Sequence, residues 1–153
     1  MAKNRKYQVN VINMTAIDKF RQFYQHLNEK DLSGLNEVYA DDVEFIDPIA
    51  THTGLESVSN YFSDLFKNTH SCFFDITTIN SIDTENHVVE WQMNFISNKL
   101  SKHKQIKVDG VTLLRTRGSL VTYHRDYYDM GQLVYENIPL LGRLIRKIKE
   151  NMQ

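Results

Sequence analysis

The stretch that decides the fold reads EVYADDVEFIDPI, from Glu37 to Ile49. Its residues Val43, Phe45 and Asp47 alternate with the two residues between them, as in a strand that buries one face. Pro48 cannot donate a hydrogen bond to a neighbouring strand, so the strand should end there. We therefore expect an acidic side chain, Asp47, at the end of a half-buried strand.

Helical patterns lie on both sides of this strand. From Thr15 to Leu27 the apolar residues recur at spacings of three and four, and Thr15 is a suitable N-cap. The segment from Asp31 to Tyr39 repeats this pattern with Asp31 as its cap, which predicts a short second helix. Gly54 opens a third helical stretch with one apolar stripe. The strand is thus preceded by two predicted helices and followed by a third.

Between Cys72 and Asp129 the pattern changes to β-branched and aromatic runs. Turn residues interrupt these runs at 83–86, 97–104 and 116–119, which predicts four antiparallel strands in a meander. Helices followed by a meander indicate an α+β fold in which the sheet buries one face against the helices. A strongly curved antiparallel or mixed sheet closed by N-terminal helices forms a cone with a pocket inside.

The chain length fits one domain, since 153 residues can bury one good core. We divide the sequence into an N-terminal extension (1–14), the cone domain (15–135) and a C-terminal basic amphipathic helix (136–153). The apolar residues of that helix share one face, and its cationic residues lie elsewhere. Docking on its own domain or on a dimer partner, and attachment to a membrane surface, are both compatible with this pattern.

Composition excludes several function classes. The formal net charge of −1 provides no field that would attract nucleic acid. No apolar run is long enough for an export signal or a membrane span, so we expect a cytoplasmic protein without integral membrane contact. The single cysteine, Cys72, cannot form an internal disulfide, and no His or Cys cluster has zinc spacing. Because the six glycines form no glycine-rich loop, we expect no phosphate-bearing cofactor. Because no compact ligand motif is present, we expect no metal.

The stretch from Glu37 to Ile49 resembles the segment of ketosteroid isomerases in which the aspartate before a proline is the general base. The resemblance spans roughly residues 15 to 135 and extends to the SnoaL-like and nuclear transport factor 2-like (NTF2-like) proteins, whose fold is a cone. It implies a general-base role for Asp47. It also implies that Asp109 takes the place of a second, protonated aspartic acid that donates a hydrogen bond to an oxyanion. The oxyanion tyrosine of these enzymes aligns with Phe23.

A second resemblance lies in the last predicted strand, which reads YHRDYYD from Tyr123 to Asp129. This run is similar to one in limonene-type epoxide hydrolases, where the acid that matches Asp126 is catalytic. The Arg and Asp that complete the catalytic triad of those enzymes match Trp91 and Met93. The resemblance therefore implies a small-molecule site that contains Asp126.

Strand alternation places His124, Asp126 and Tyr128 on one face, which the resemblance puts inside the cone. His124 is close enough to Asp126 to share a proton with it or to fix its own tautomer. The expected catalytic groups are Asp47, Asp109, Asp126 and His124. The expected pocket lining is Phe23, Phe45, His52, Trp91, Met93 and Tyr128. A metal held by His52, His124 and Asp126 would lack a compact ligand motif.

These residues favour a small-molecule enzyme that performs acid-base chemistry, of isomerase, cyclase or hydrolase type, on a mostly apolar substrate. The alternative is an NTF2-like module that binds a ligand or a partner without turnover, because Phe23, Trp91 and Met93 stand where relatives have catalytic residues. On the opposite face of the last strand, Tyr123 and Arg125 belong to an aromatic and cationic surface that predicts a homodimer. The C-terminal helix could cover the same surface instead.

Overall fold

The computed structural model describes residues 14–97 and 104–153. The predicted N-terminal extension lies outside the described residues except for Met14, and so does most of the predicted turn at 97–104. The described helices are α1 (Ala16–His26), α2 (Leu35–Val38), α3 (Leu55–Lys67), α4 (Met130–Leu133) and α5 (Leu141–Glu150). The strands are β1 (Tyr39–Ile46), β2 (Thr51–Thr53), β3 (Thr69–Ser81), β4 (Asn86–Ser97), β5 (Ile106–Arg117) and β6 (Leu120–Tyr128).

The six strands form one mixed sheet in the order β2-β1-β6-β5-β4-β3. Strands β3 to β6 pair antiparallel in sequence order, which confirms the predicted meander. Strand β1 joins it by parallel pairing with β6, with Phe45 opposite His124. The sheet is not closed, and α1 and α3 pack against its inner face. The fold is the predicted α+β cone.

The first helix starts as its sequence predicts. Thr15 is the N-cap: its side chain accepts a hydrogen bond from the Asp18 backbone N–H, and the Asp18 carboxylate accepts one from the Thr15 backbone. This reciprocal capping box satisfies two N–H groups that have no partner within the helix. The buried residues Ala16, Phe20 and Tyr24 then fall on one face, toward the sheet.

The second helix is shorter than predicted and the strand after it is longer. Asp31 accepts a hydrogen bond from the Ser33 backbone N–H at 2.9 Å, which forms a turn instead of a helical N-terminus. The chain becomes extended at Tyr39, four residues before the predicted strand. As a result Tyr39 is a strand residue whose side chain is buried in the core.

The core lies between the inner face of the sheet and helices α1 and α3. Alternate residues of β4 and β5 are buried there, as expected for a sheet with one face covered. Within the part of the chain that the structure describes, no helix has the length and apolar content required to cross a bilayer.

Candidate active site

Two residues of β6 form the centre of the site. His124 is fully buried, and the Asp126 side chain is 12% exposed. His124 Nε2 lies 2.8 Å from Asp126 Oδ1, and His124 Nδ1 lies 2.9 Å from the Tyr39 hydroxyl. The ring of Phe45 stacks on the imidazole at a centroid distance of 4.2 Å. The imidazole is therefore fixed by two hydrogen bonds and one stacked ring.

Hydrogen bonds continue from this pair in both directions. The Tyr39 hydroxyl lies 2.9 Å from the hydroxyl of Tyr24. On the other side, the Thr112 hydroxyl donates to Asp126 Oδ1, and Trp91 Nε1 donates to the Thr112 hydroxyl at 2.7 Å. We call this set the interior chain: Tyr24, Tyr39, His124, Asp126, Thr112 and Trp91.

The proton positions in the interior chain follow from what each group can donate. The indole N–H of Trp91 is only a donor, so the Thr112 oxygen accepts from it and gives its own proton to Asp126. Burial raises the pKa of both Tyr24 and Tyr39 well above the ordinary value, so both hydroxyls stay protonated. Every donor then has an acceptor if His124 is neutral with its proton on Nε2, Tyr39 donates to Nδ1 and Tyr24 donates to Tyr39. All these protons point toward Asp126.

The two oxygens of Asp126 differ in their hydrogen bonding. Oδ2 makes no hydrogen bond to any residue of 14–97 or 104–153, although Oδ1 accepts two. Burial raises the pKa of Tyr128, and the nearby carboxylates of Asp47 and Asp126 raise it further. Burial, and then the charge and the hydrogen bond of Asp47, raise the pKa of Tyr61, with smaller contributions from Tyr128 and Asp126. Two protonated phenols thus lie within electrostatic range of both carboxylates.

Asp47 is buried at the end of β1, but its oxygens already have partners. Oδ1 accepts from the backbone N–H groups of Ile49 and Ala50, each at 2.8 Å. Oδ2 accepts from the Tyr61 hydroxyl at 2.5 Å. These bonds hold the turn around Pro48. A general-base role for Asp47 stays a prediction, and in this arrangement it would require Tyr61 to move.

The predicted position of Asp109 in the pocket is wrong. Asp109 is exposed on the outer face of the sheet, where Gln92 Nε2 donates to its Oδ1 at 3.0 Å. Strand alternation is the cause, because Val108 and Thr112 are buried inside and Asp109 must point the other way. The inward position next to it is Gly110, which lies under the Trp91 ring. A β-carbon there would be 2.2 Å from Trp91 Cη2.

Phe23 is also not where the resemblance placed it. Its ring is half-buried and lines a groove of about 770 Å³ on the outside, between α1 and α2. The next residue, Tyr24, is the buried one and brings a hydroxyl into the interior chain. One helical residue corresponds to a rotation of about 100°, so this one-residue shift exchanges an outward phenyl for an inward phenol.

Of the other predicted lining residues, Phe45, Trp91 and Met93 are buried on the inner face, and Tyr128 is partly buried beside Trp91. His52 stacks on Tyr61 at a centroid distance of 4.4 Å, and its Nε2 is buried without a hydrogen-bond partner among the described residues. Four grooves on the domain, with volumes of about 470 to 770 Å³, do not include His124 or Asp126 in their lining. Aromatic rings pack around His124 on the inner side of the sheet.

Neither nitrogen of His124 is available to a metal, because each already has a hydrogen-bond partner. Among residues 14–97 and 104–153 no group of three His, Cys, Asp or Glu side chains is arranged to hold a metal ion.

The sequence pattern of the SnoaL-like domain matches residues 20–124, which include most of α1, all of β1 and His124, and end two residues before Asp126. The chain belongs to the SnoaL-like domain family. No curated protein matches its sequence. Solved structures similar to this SnoaL-like chain are less than 25% identical to it, so they establish the fold alone.

Three of these structures illustrate the similarity. A Catenulispora acidiphila protein with a ketosteroid isomerase-like fold, solved in complex with trimethylamine, has a TM-score of 0.71 and 22% identity, over 83% of this chain and 95% of that one. An NTF2-like protein of unknown function from Burkholderia pseudomallei has a TM-score of 0.70 and 15% identity, over 80% and 96% of the two chains. TerC, co-crystallised with polyporic acid, has a TM-score of 0.65 and 15% identity, over 74% and 91%.

The buried phenols of the SnoaL-like domain give a first testable result. Tyr24 and Tyr39 have a folded pKa above the unfolded value of about 10, so above that pH the unfolded chain loses protons that the folded chain keeps. Their contribution to stability is complete below about pH 10, and the free energy of unfolding should then fall by about 1.4 kcal/mol per pH unit for each of them. Tyrosinate absorbance from these two residues should appear only with unfolding.

The control is Tyr135→Phe, which removes an exposed phenol. Tyr135→Phe should leave the pH midpoint of alkaline unfolding unchanged. Tyr24→Phe removes one of the two buried phenols, so its midpoint should lie at a higher pH than wild type once the two proteins are compared at equal free energy of unfolding at neutral pH. Ionisation of Tyr24 and Tyr39 in the folded protein, without loss of circular dichroism, would contradict the assignment of both as buried donors.

Proposed function

We propose that this SnoaL-like protein is an acid-base enzyme, of isomerase, cyclase or hydrolase type, that acts on a small and mostly apolar molecule inside the cone. The observation that carries the proposal is the free Oδ2 of Asp126, on a carboxylate whose Oδ1 is held by His124 and Thr112. A carboxylate fixed through one oxygen has the other available to take a proton from a substrate or from water.

The interior chain would assist this proton transfer in two ways. His124 and Thr112 donate to Asp126 and keep the carboxylate oriented, as a general base requires. The protonated phenol of Tyr128, near the carboxylates of Asp47 and Asp126, would donate a hydrogen bond to negative charge that develops on a substrate oxygen. Aromatic rings around the site would hold an apolar substrate and exclude water.

A binding module that holds a ligand without turnover is the second candidate. It is favoured by Trp91 and Met93, which stand where the epoxide hydrolases have catalytic residues. The related structures crystallised with trimethylamine and with polyporic acid are compatible with either candidate.

We propose that the protein is cytoplasmic. We also propose that it forms a homodimer through the outer face of the sheet. The Arg115 guanidinium lies 4.1 Å from the ring centroid of Tyr123, and that of Arg125 lies 4.9 Å from Tyr127. Arg and Tyr are enriched at protein interfaces, and Tyr127 is exposed. Light scattering of wild type and Tyr127→Glu tests this: a dimer that the substitution dissociates is expected, and a wild-type monomer would refute it.

The experiment that separates enzyme from binding module is a panel of small enones and epoxides incubated with the wild-type protein across a range of pH. Product formation shows turnover, and the fluorescence of Trp91, the only tryptophan, reports binding in the cone. Saturable turnover of at least one compound is expected. Compounds that change Trp91 fluorescence without any product would favour the binding module.

A further inference from the structure

The C-terminal helix α5 leaves its apolar stripe open to solvent. Leu144 is 56% exposed and Ile148 is 50% exposed, one helical turn apart. Leu141 lies on the same stripe, and Leu140 and Met152 extend the exposed apolar surface at the two ends. We call this surface the α5 stripe: Leu140, Leu141, Leu144, Ile148 and Met152. The sequence left open whether the domain would cover it, and within the described residues it does not.

The helix is attached to its own domain by a different edge. Gly142 N donates to the Ile138 carbonyl at 2.7 Å, and a β-carbon at Gly142 would lie 2.1 Å from the carbonyl oxygen of Glu136. On the same edge Arg146 donates to that carbonyl at 3.2 Å, and Lys149 forms an ion pair with the Glu136 carboxylate. The close approach at Gly142 and these polar contacts fix the helix, and the α5 stripe points away from the contact.

The charge of α5 is opposite to that of the rest of the domain. Residues 139–153 contain four basic residues and one acidic residue, a net charge of +3. The remaining described residues, 14–97 and 104–138, contain nine basic and eighteen acidic residues, a net charge of −9. Arg143 and Lys147 lie beside the stripe and form no ion pair with any described residue.

We propose that α5 binds the surface of an anionic lipid membrane, with the α5 stripe in the interfacial region. A helix with an apolar face bordered by unpaired cations fits this surface, because long basic side chains can reach lipid phosphates while apolar residues enter the acyl boundary. Pairing of two α5 stripes from separate copies would bring the unpaired cations of both helices together, which disfavours a second copy as the occupant.

The test is flotation of the full-length protein with vesicles of phosphatidylcholine alone and with vesicles that also contain phosphatidylserine. Binding only to the phosphatidylserine vesicles, weakened by salt, is expected. Arg143→Gln combined with Lys147→Gln should lower the partition coefficient by about 30-fold, since each cation near an anionic surface contributes about a five-fold factor. Leu144→Asp combined with Ile148→Asp should abolish binding.

Ile82→Asp is the control, because it places an aspartate at an isoleucine that is 71% exposed outside α5, and it should bind like wild type. Wild type that fails to float with phosphatidylserine vesicles would overturn the proposal, and so would binding that survives in Leu144→Asp/Ile148→Asp. A concentration-dependent dimer that this double variant dissociates, with no vesicle binding by wild type, would instead assign the α5 stripe to a second copy.

Discussion

Asp126→Asn is expected to lower turnover of any accepted substrate by about 100- to 10,000-fold, which is the usual contribution of a positioned general base. The amide has the size of the carboxylate, and its oxygen can still accept from His124 and Thr112, so the fold should persist. What the amide lacks is a second oxygen able to take a proton. The loss should therefore lie mainly in kcat, with a smaller change in KM.

Asp109→Asn is the matched control for this result. It makes the same chemical change on an exposed aspartate that faces away from the cone, where its partner is Gln92. Turnover by Asp109→Asn should equal that of wild type. If Asp126→Asn retains wild-type turnover while folded, Asp126 is not the base.

His124→Leu is expected to lower the free energy of unfolding by about 3 kcal/mol, because a buried hydroxyl and a carboxylate each lose a hydrogen bond. Leucine fills much of the space of the imidazole but offers no hydrogen bond. The change leaves the Asp126 carboxylate with one donor fewer and the Tyr39 hydroxyl without its acceptor. Urea unfolding monitored by circular dichroism measures the loss.

A double variant, His124→Leu with Asp126→Leu, distinguishes this cause from a simple packing defect. Removing both side chains leaves no Asp126 carboxylate without its His124 donor. The double variant should therefore be more stable than His124→Leu alone. Destabilisation equal to the sum of the two single variants would contradict a direct interaction between the two side chains.

Most of the fold is predicted by local patterns in the sequence. The spacing of apolar residues after Thr15 and after Gly54 predicts α1 and α3, and the turn residues between Cys72 and Asp129 predict the four-strand meander. The short strand β2 was missed because three residues with no strong β pattern become a strand only by pairing with β1. The apolar spacing predicts a helix from Asp31 to Tyr39, because spacing alone does not reveal that Asp31 forms a turn. The helix is therefore shorter than predicted, and Tyr39 belongs to the strand.

The site was only partly predictable, because its residues meet through long-range contacts. Alternation along β6 correctly placed His124 and Asp126 on the inner face, but the partners of this pair, Tyr39 and Thr112, come from other strands. Tyr39 is 85 residues from His124, and no local pattern connects them. The errors at Asp109 and Phe23 are both shifts of one residue, and one residue is enough to turn a side chain from the inside to the outside of a strand or helix.

The most direct measurement is a crystal structure of the protein with a bound, slowly reacting analogue of a compound that it turns over. Our account predicts that the reacting group lies about 3 Å from Oδ2 of Asp126, with the aromatic rings of the cone displaced around it. An analogue bound on the outer face of the sheet beside Asp109, with no contact to the Asp126 carboxylate, would contradict it.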